Sequence, residues 1–215
     1  MTLSRREDAI MDADTSCESP PLLVVISGPS GVGKDSVIDE LKKKNRPRHF
    51  TVSATTRSPR AGETDGVDYI FLDTETFLEM RNSGQLLESA EYSGRWYGVP
   101  RSQVSEALKQ GKDVFLKIEV QGAGTIRALA PEAVLIFLAP ASFEELAVRL
   151  GQRRTEGPEE AARRLEIARQ ELAQVGRYDY CVVNRDGRLE EAVADIEAII
   201  IAEKCRVAPR RVKLD

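Results

Sequence analysis

The sequence predicts an α/β protein of three layers, with a central parallel sheet between two layers of helices. Four short and nearly continuous apolar segments are typical of strands buried on both faces of such a sheet: residues 22–26, 114–118, 134–138 and 180–184. Segments with helical periodicity alternate with them: residues 34–44, 101–110, 121–130, 142–153, 158–175 and 188–204. At 215 residues, the chain suits one domain with a small insertion.

The start of two helices is marked in the sequence. Ser142 and Glu145 form a capping box, and Pro158 occupies a favourable first-turn position. Residues 54–100 interrupt the alternation, because short strand-like segments flank a helical segment at 74–84. This region is predicted to be a small mixed α/β insertion.

The two chain ends are predicted to lie outside the domain, which spans residues 22–205. Residues 1–21 have no apolar core and carry several acids, so we expect a mobile tail that is neither a signal nor an organellar transit peptide. Residues 206–215 are predicted to be a basic, solvated tail. No segment is long and apolar enough to span a membrane.

Composition and cysteine content narrow the class of protein. The formal charge of −4 gives no indication of nucleic-acid binding. Cys17, Cys181 and Cys205 are odd in number and far apart, which argues against a disulfide framework or zinc site and favours a reducing, cytoplasmic setting. Cys181 lies in an apolar segment and is predicted to be buried.

A glycine-rich loop follows the first strand. It reads G-x-x-x-x-G-K from Gly28 to Lys34, between an apolar strand and a helical segment. In such loops the backbone N–H groups, the lysine and the helix N-terminus bind nucleotide phosphates. The residues predicted to bind ATP here are Gly28, Pro29, Ser30, Gly31, Val32, Gly33 and Lys34.

Asp35 stands where such loops usually carry a Ser or Thr whose hydroxyl holds Mg²⁺. Its carboxylate either ligates Mg²⁺, directly or through water, or only favours the helix N-terminus electrostatically. Ser36 is a second candidate ligand, and both residues are assigned to the ATP side. The sequence leaves these alternatives open.

A second cluster of polar residues lies in the insertion. Arg57, Arg60 and Tyr69 have the chemistry to hold a phosphate dianion, and Tyr97 follows further along. Glu88 can accept two hydrogen bonds from adjacent N–H donors, as guanine presents at N1 and its 2-amino group and adenine does not.

The motifs GPSGVGK, SATTRSPRAGETDGVDY, LLESAEYSGRWYG, EVQGA and RLGQRRT resemble the guanylate kinase family from about residue 22 to 204. The resemblance implies a P-loop kinase fold with a GMP-binding insertion and a helical lid at about 150–165. It implies ATP-dependent phosphorylation of GMP and dGMP, with Mg²⁺ as cofactor. The expected partners are ATP and GMP, with no nucleic acid or membrane, and the expected state is a monomer or homodimer.

The resemblance also implies residue roles. The GMP phosphate is assigned to Ser53, Arg57, Arg60, Tyr69 and Tyr97, and the guanine edge to Glu88. The transferring phosphates are assigned to Lys34, Arg149, Arg153 and Arg164. Asn184 is assigned to the ATP side.

Three positions depart from the family pattern: Asp35, Val99 and Glu119. Val99 replaces a Ser or Thr that helps to read guanine. Glu119 replaces Asp, and it is expected to act through water on Mg²⁺ or on the guanine. The first two departures also resemble ribose 1,5-bisphosphate phosphokinase. A third alternative is a non-catalytic guanylate-kinase-like domain that binds phosphorylated peptides. The presence of both Glu88 and the phosphate loop favours the guanylate kinase interpretation.

Overall fold

The computed structural model describes residues 19–92, 94–151 and 158–214, with the backbone alone for 158–162. Its strands are β1 (Leu23–Ser27), β2 (Arg48–Phe50), β3 (Ala54–Thr55), β4 (Ile70–Phe71), β5 (Leu86–Tyr92), β6 (Arg95–Pro100), β7 (Asp113–Lys117), β8 (Val134–Pro140) and β9 (Tyr180–Asn184). Its α-helices are α1 (Lys34–Lys42), α2 (Thr74–Asn82), α3 (Arg101–Lys109), α4 (Val120–Leu129), α5 (Phe143–Gly151), α6 (Pro158–Leu172) and α7 (Leu189–Lys204).

The main sheet is parallel, in the order β2-β7-β1-β8-β9 across the described residues. Its central strand β1 is buried along its whole length. The carboxyl ends of β1, β7 and β9 therefore meet at one edge, where α/β proteins place their ligands. The predicted fold class is confirmed.

Alternate residues of β1 pack into two separate cores, as the period of two in a strand requires. Val24 and Ile26 belong to the core that contains α1 and α7. Leu23 and Val25 belong to the core that contains α3 and α4. The central sheet therefore lies between two layers of helices, as predicted.

The insertion carries a second sheet, in the order β4-β3-β6-β5, with parallel and antiparallel pairs. Helix α2 packs on it through Phe77, which is fully buried. Strands β2 and β6 were not predicted, because their short segments combine charged or aromatic residues with no regular alternation.

The predicted start of α5 agrees with the structure, since the backbone N–H of Glu145 donates to the Ser142 hydroxyl over 3.1 Å. Helix α6 is described from Pro158 onward, and its predicted start there stays a prediction. Residues 152–157 lie outside the described part of the chain, so the lid predicted at about 150–165 stays a prediction.

Cys181 was predicted to be buried, and this was wrong. It is exposed because β9 is an edge strand, and only alternate residues such as Val182 and Asn184 are buried. Tyr180 and Val182 pack into the core of α1 and α7. The opposite face of this edge strand has less cover.

The segment after α7 was predicted to be solvated, and it instead packs on the domain. Arg210 donates to the buried carboxylate of Glu203 over 2.8 Å and lies 3.8 Å from Asp179. Val212 and Leu214 pack against the core of α3 and α4. In the described ranges, no helix has the length and apolar character needed to cross a membrane.

Candidate active site

A cavity of about 520 Å³ lies at the carboxyl edge of the main sheet, between the glycine-rich loop and the insertion. It brings together most of the predicted site residues: Pro29, Ser30, Gly31, Gly33, Lys34, Asp35, Ser36, Ser53, Arg57, Arg60, Tyr69, Glu88, Tyr97, Glu119, Arg149 and Asn184. Gly28, Val32 and Arg164 do not line it. Arg153 lies outside the described residues.

The loop conformation requires glycine at two positions in particular. Gly28 has φ 145°, and a Cβ there would lie 2.2 Å from the Leu138 carbonyl oxygen. Gly33 has φ 97°, and a Cβ there would lie 2.5 Å from Asn184 Nδ2. The loop thus passes against β8 and β9 at distances that side chains would prevent.

Lys34 lies inside the curve of the loop. Its Nζ donates to the Gly28 carbonyl over 2.5 Å and to the Pro29 carbonyl over 3.2 Å, and lies 3.7 Å from Glu119 Oε2. An ammonium group held there, beside the N-terminus of α1, makes this end of the cavity positive and suited to an anion.

Two predicted residues support the loop from outside. Asn184 Nδ2 donates to the Val32 carbonyl over 2.8 Å. Arg149 donates to the same carbonyl and to the Asn184 carbonyl, both over 3.2 Å, and pairs with Glu145. Arg149 is therefore tied to the loop and also lines the cavity.

Asp35 has a partner that sequence reasoning missed. Lys117, the last residue of β7, donates to the Asp35 carboxylate and lies 5.0 Å from the centre of the Tyr69 ring. Asp35 also lies in the first turn of α1, as the electrostatic alternative proposed. A lysine that ends an apolar strand was the available signal, but its partner is 82 residues away.

The predicted acceptor residues converge around Tyr69. The guanidinium carbon of Arg57 lies 5.2 Å from the Tyr69 ring centre, and the Tyr97 ring centre lies 6.1 Å from it. Arg57 also donates to both carboxylate oxygens of Glu63, over 2.8 and 2.9 Å. Hydrogen bonds from Arg57 and from the Arg60 backbone N–H hold the pKa of Glu63 below its usual value.

Glu88 is the buried acid of the cavity, with 5 % of its surface exposed. Burial, together with the charge of Glu119, raises the pKa of Glu88 to about 8. Gly122, at the start of α4, faces it closely, because a Cβ there would lie 2.5 Å from Glu88 Oε2.

Val99 pairs with Glu88 across the β5–β6 hairpin, yet it is fully buried and belongs to the core of α3 and α4. It does not line the cavity. The valine therefore extends the hydrophobic core.

A further acid near the loop was also missed. Burial and the charge of Glu119 raise the pKa of Glu171 in α6 to about 7, while the backbone N–H of Ser30 acts to lower it. Burial raises the pKa of Tyr92 above its usual range, and the nearby Arg164 opposes this. Glu171 lies among alternating charges in its helix, so no local pattern distinguishes it.

The family model described as guanylate kinase matches residues 21–203. The chain belongs to the guanylate kinase family. A guanylate kinase of Bacillus cereus is 47 % identical over 186 residues, covering 86 % of this chain and 90 % of the relative. Guanylate kinase 2, chloroplastic/mitochondrial, of Oryza sativa subsp. japonica is 44 % identical over 195 residues, covering 90 % of this chain and 68 % of the relative. A crystal structure of guanylate kinase from Anaplasma phagocytophilum matches this family member with a TM-score of 0.74 and 34 % identity. The match covers 88 % of this chain and 89 % of the chain in that structure.

Proposed function

We propose that this guanylate kinase family member transfers the γ-phosphoryl group of ATP to GMP, and to dGMP, yielding ADP and GDP or dGDP in purine nucleotide metabolism. The observation that carries the proposal is the buried Glu88 carboxyl group at the acceptor end of a cavity whose other wall is the phosphate loop. A paired N–H edge, as in guanine, matches its two oxygens.

The acceptor phosphate is assigned to the groups around Tyr69. Arg57 and Arg60 supply charge, and the hydroxyls of Ser53, Tyr69 and Tyr97 supply donors. Because Arg57 is already positioned by Glu63, a bound phosphate meets a pre-oriented guanidinium. These groups are proposed to hold the acceptor phosphate toward the phosphate loop.

The donor phosphates are assigned to the loop. Ser30, Gly31, Gly33 and Lys34 line the cavity, and Asn184 donates a hydrogen bond that supports the loop. Arg149, Arg153 and Arg164 are proposed to compensate the charge of the transferring phosphoryl group when the lid region closes.

The residues present fit a magnesium ion held mainly by phosphate and water. Glu119 Oε2 is buried without a hydrogen-bond partner, and the side chains of Asp35 and Ser36 in the same cavity carry oxygen atoms that can ligate a metal. The described residues contain no cluster of three acids or other metal-binding side chains. When bound, Mg²⁺ neutralises phosphate charge and orients the ATP phosphates.

The acceptor oxygen of GMP is already anionic, so the reaction requires no strong general base. Catalysis rests on positioning and on charge compensation by Lys34 and the arginines. Exclusion of water from the cavity would limit hydrolysis of ATP.

The two alternatives are less well supported. A sugar bisphosphate has no base for the buried Glu88 to recognise. A phosphopeptide-binding domain has no use for Lys34 inside an intact phosphate loop. The family match covers nearly the whole chain and favours neither alternative.

We further propose a cytoplasmic protein that is a monomer or homodimer. The exposed thiols of Cys181 and Cys205 are free, as expected in a reducing compartment. Sedimentation of the purified chain measures its oligomeric state.

The proposed function is tested by ADP release from MgATP with GMP, dGMP, AMP, UMP or ribose 1,5-bisphosphate as acceptor. We expect strong preference for GMP and dGMP. Turnover with the sugar bisphosphate alone would favour the sugar kinase. Absence of turnover with every acceptor, in a folded protein, would favour the binding domain.

A further inference from the structure

Lys117 is a mostly buried cation between the two substrate subsites. It ends β7 opposite Ile26 of β1, just before the phosphate loop, and its side chain is 21 % exposed. It lines the cavity beside the loop and the insertion. A lysine side chain is ordinarily protonated at neutral pH, so this group brings a positive charge to the cavity.

Two cations from different elements approach the same phenol. Lys117 Nζ lies 5.0 Å from the Tyr69 ring centre, and the Arg57 guanidinium carbon lies 5.2 Å from it. Arg57 comes from the insertion and Lys117 from the main sheet. Arg57, Tyr69 and Lys117 line one cavity, so a phosphate dianion bound by Arg57 and the Tyr69 hydroxyl would be attracted by the Lys117 ammonium group.

The carboxylate that pairs with Lys117 is easily replaced. The Asp35 side chain is 69 % exposed, and an ion pair with such an exposed partner contributes little free energy. A phosphate dianion carries more charge and three acceptor oxygens. In the mostly buried surroundings of Lys117, the dianion is the stronger partner.

We propose that Lys117 is a further binding residue for the acceptor phosphate, exchanging the Asp35 carboxylate for the phosphate of GMP. The proposal rests on the proposed function. Asp35 then has a role at the acceptor side, as the counter-ion that keeps Lys117 positioned between the loop and Tyr69. The contact links the loop that binds ATP to the residues that bind GMP.

Calorimetric titration of the full chain with GMP, without ATP or metal, tests the proposal. We expect Lys117→Met to weaken GMP binding about tenfold, since one charge-assisted contact is lost. The affinity for guanosine, which has no phosphate, should stay unchanged, and Lys117→Arg should restore part of the GMP affinity. Lys109→Met, which removes an exposed charge on α3, is the matched control and should have no effect.

A double-mutant cycle tests the exchange itself. Asp35→Ser should strengthen GMP binding about twofold to threefold, because the competing carboxylate is gone. The same change in the Lys117→Met protein should have no effect on GMP binding. Thermal melting of each variant verifies that it is folded.

Three results would overturn the proposal. Unchanged GMP affinity in folded Lys117→Met would show that the ammonium group does not contact the phosphate. Equal weakening of guanosine and GMP would show a structural role only. Wild-type protein that bound GMP no better than AMP would refute the proposed function itself, and this outcome is recognisable before any variant is made.

Discussion

The preferred protonation state of Glu88 differs between the free protein and the proposed complex with GMP. Its burial and the charge of Glu119 raise its pKa to about 8, so at neutral pH much of it is protonated. Acceptance of two hydrogen bonds from a guanine edge requires the carboxylate. Guanine binding should therefore be coupled to release of a proton from this residue.

GMP affinity should rise roughly eightfold from about pH 7 to about pH 8.5, because the ionised fraction of a group with pKa about 8 rises by that factor. Above pH 7 the GMP phosphate is already a dianion, since its second pKa is about 6. Titration calorimetry in buffers of different ionisation enthalpy measures the released proton.

Glu88→Gln should remove this pH dependence and reduce the preference for guanine over adenine at least about tenfold. Glu91→Gln, an exposed position on the same strand, is the control and should behave as wild type. A pH profile that persists in Glu88→Gln would assign the titration to another group.

At the scale of elements, the loop depends on its close approach to β8. Gly28→Ala should lower the free energy of unfolding by about 3 kcal/mol, because it combines a positive φ with a contact of 2.2 Å to the Leu138 carbonyl. Urea denaturation measures the change.

Gly124→Ala is the matched control for this prediction. Gly124 lies in α4, and no neighbouring atom of the described residues lies within 4 Å of the position that a methyl group would take there. Alanine should therefore stabilise the protein by about 0.5–1 kcal/mol. A Gly28→Ala protein as stable as Gly124→Ala would mean that the loop relaxes without cost.

The elements differ in how well the sequence predicts them. The strands β1, β7, β8 and β9 were predicted within two residues at each end, because continuous apolar segments can be buried only inside a sheet. The exposure of Cys181 was not predictable, since the order of strands decides which one lies at the edge. Strand order is a property of long-range pairing.

The same limit applies to the site. The loop residues follow from a local motif, and Arg57, Tyr69 and Glu88 from their side-chain chemistry together with the family resemblance. Lys117 was missed because its significance depends on the register that places it beside Asp35 and Tyr69. Glu171 was missed because only burial distinguishes it from the other acids of its helix.

At the scale of the whole molecule, ATP and GMP are assigned to different parts of the fold. Arg57→Ala, in the insertion, should raise the KM for GMP about 100-fold and leave the KM for ATP within about twofold. Steady-state kinetics with each substrate varied in turn measures both constants.

Arg95→Ala is the matched control for Arg57→Ala, as it removes an exposed arginine from the same insertion. It should leave both KM values unchanged. If Arg57→Ala raised the KM for ATP as much as that for GMP, the division between the two subsites would be wrong.

The chain end also contributes to the whole domain. Arg210 pairs with Glu203, which is 1 % exposed, and bonds from Arg210 and Tyr180 hold the pKa of Glu203 below its usual value despite burial. Arg210→Ala should lower the free energy of unfolding by about 2 kcal/mol at neutral pH. Because the folded pKa is depressed, this difference should diminish as pH falls through the folded pKa of Glu203.

Chemical denaturation of Arg210→Ala and of the exposed control Arg211→Ala measures this contribution. Equal stability of the two variants would mean that the ion pair of Arg210 with Glu203 adds nothing to the stability of the domain.

The contact between Gly122 and Glu88 restricts how base preference can change during evolution or by engineering. A side chain at position 122 would occupy the space of the Glu88 carboxylate, so substitutions of Gly122 cannot change the size of the proposed base pocket while Glu88 is present. A shift towards another base must then begin with replacement of Glu88. A protein without Glu88 would have lost the proposed recognition of guanine before a side chain could be introduced at position 122.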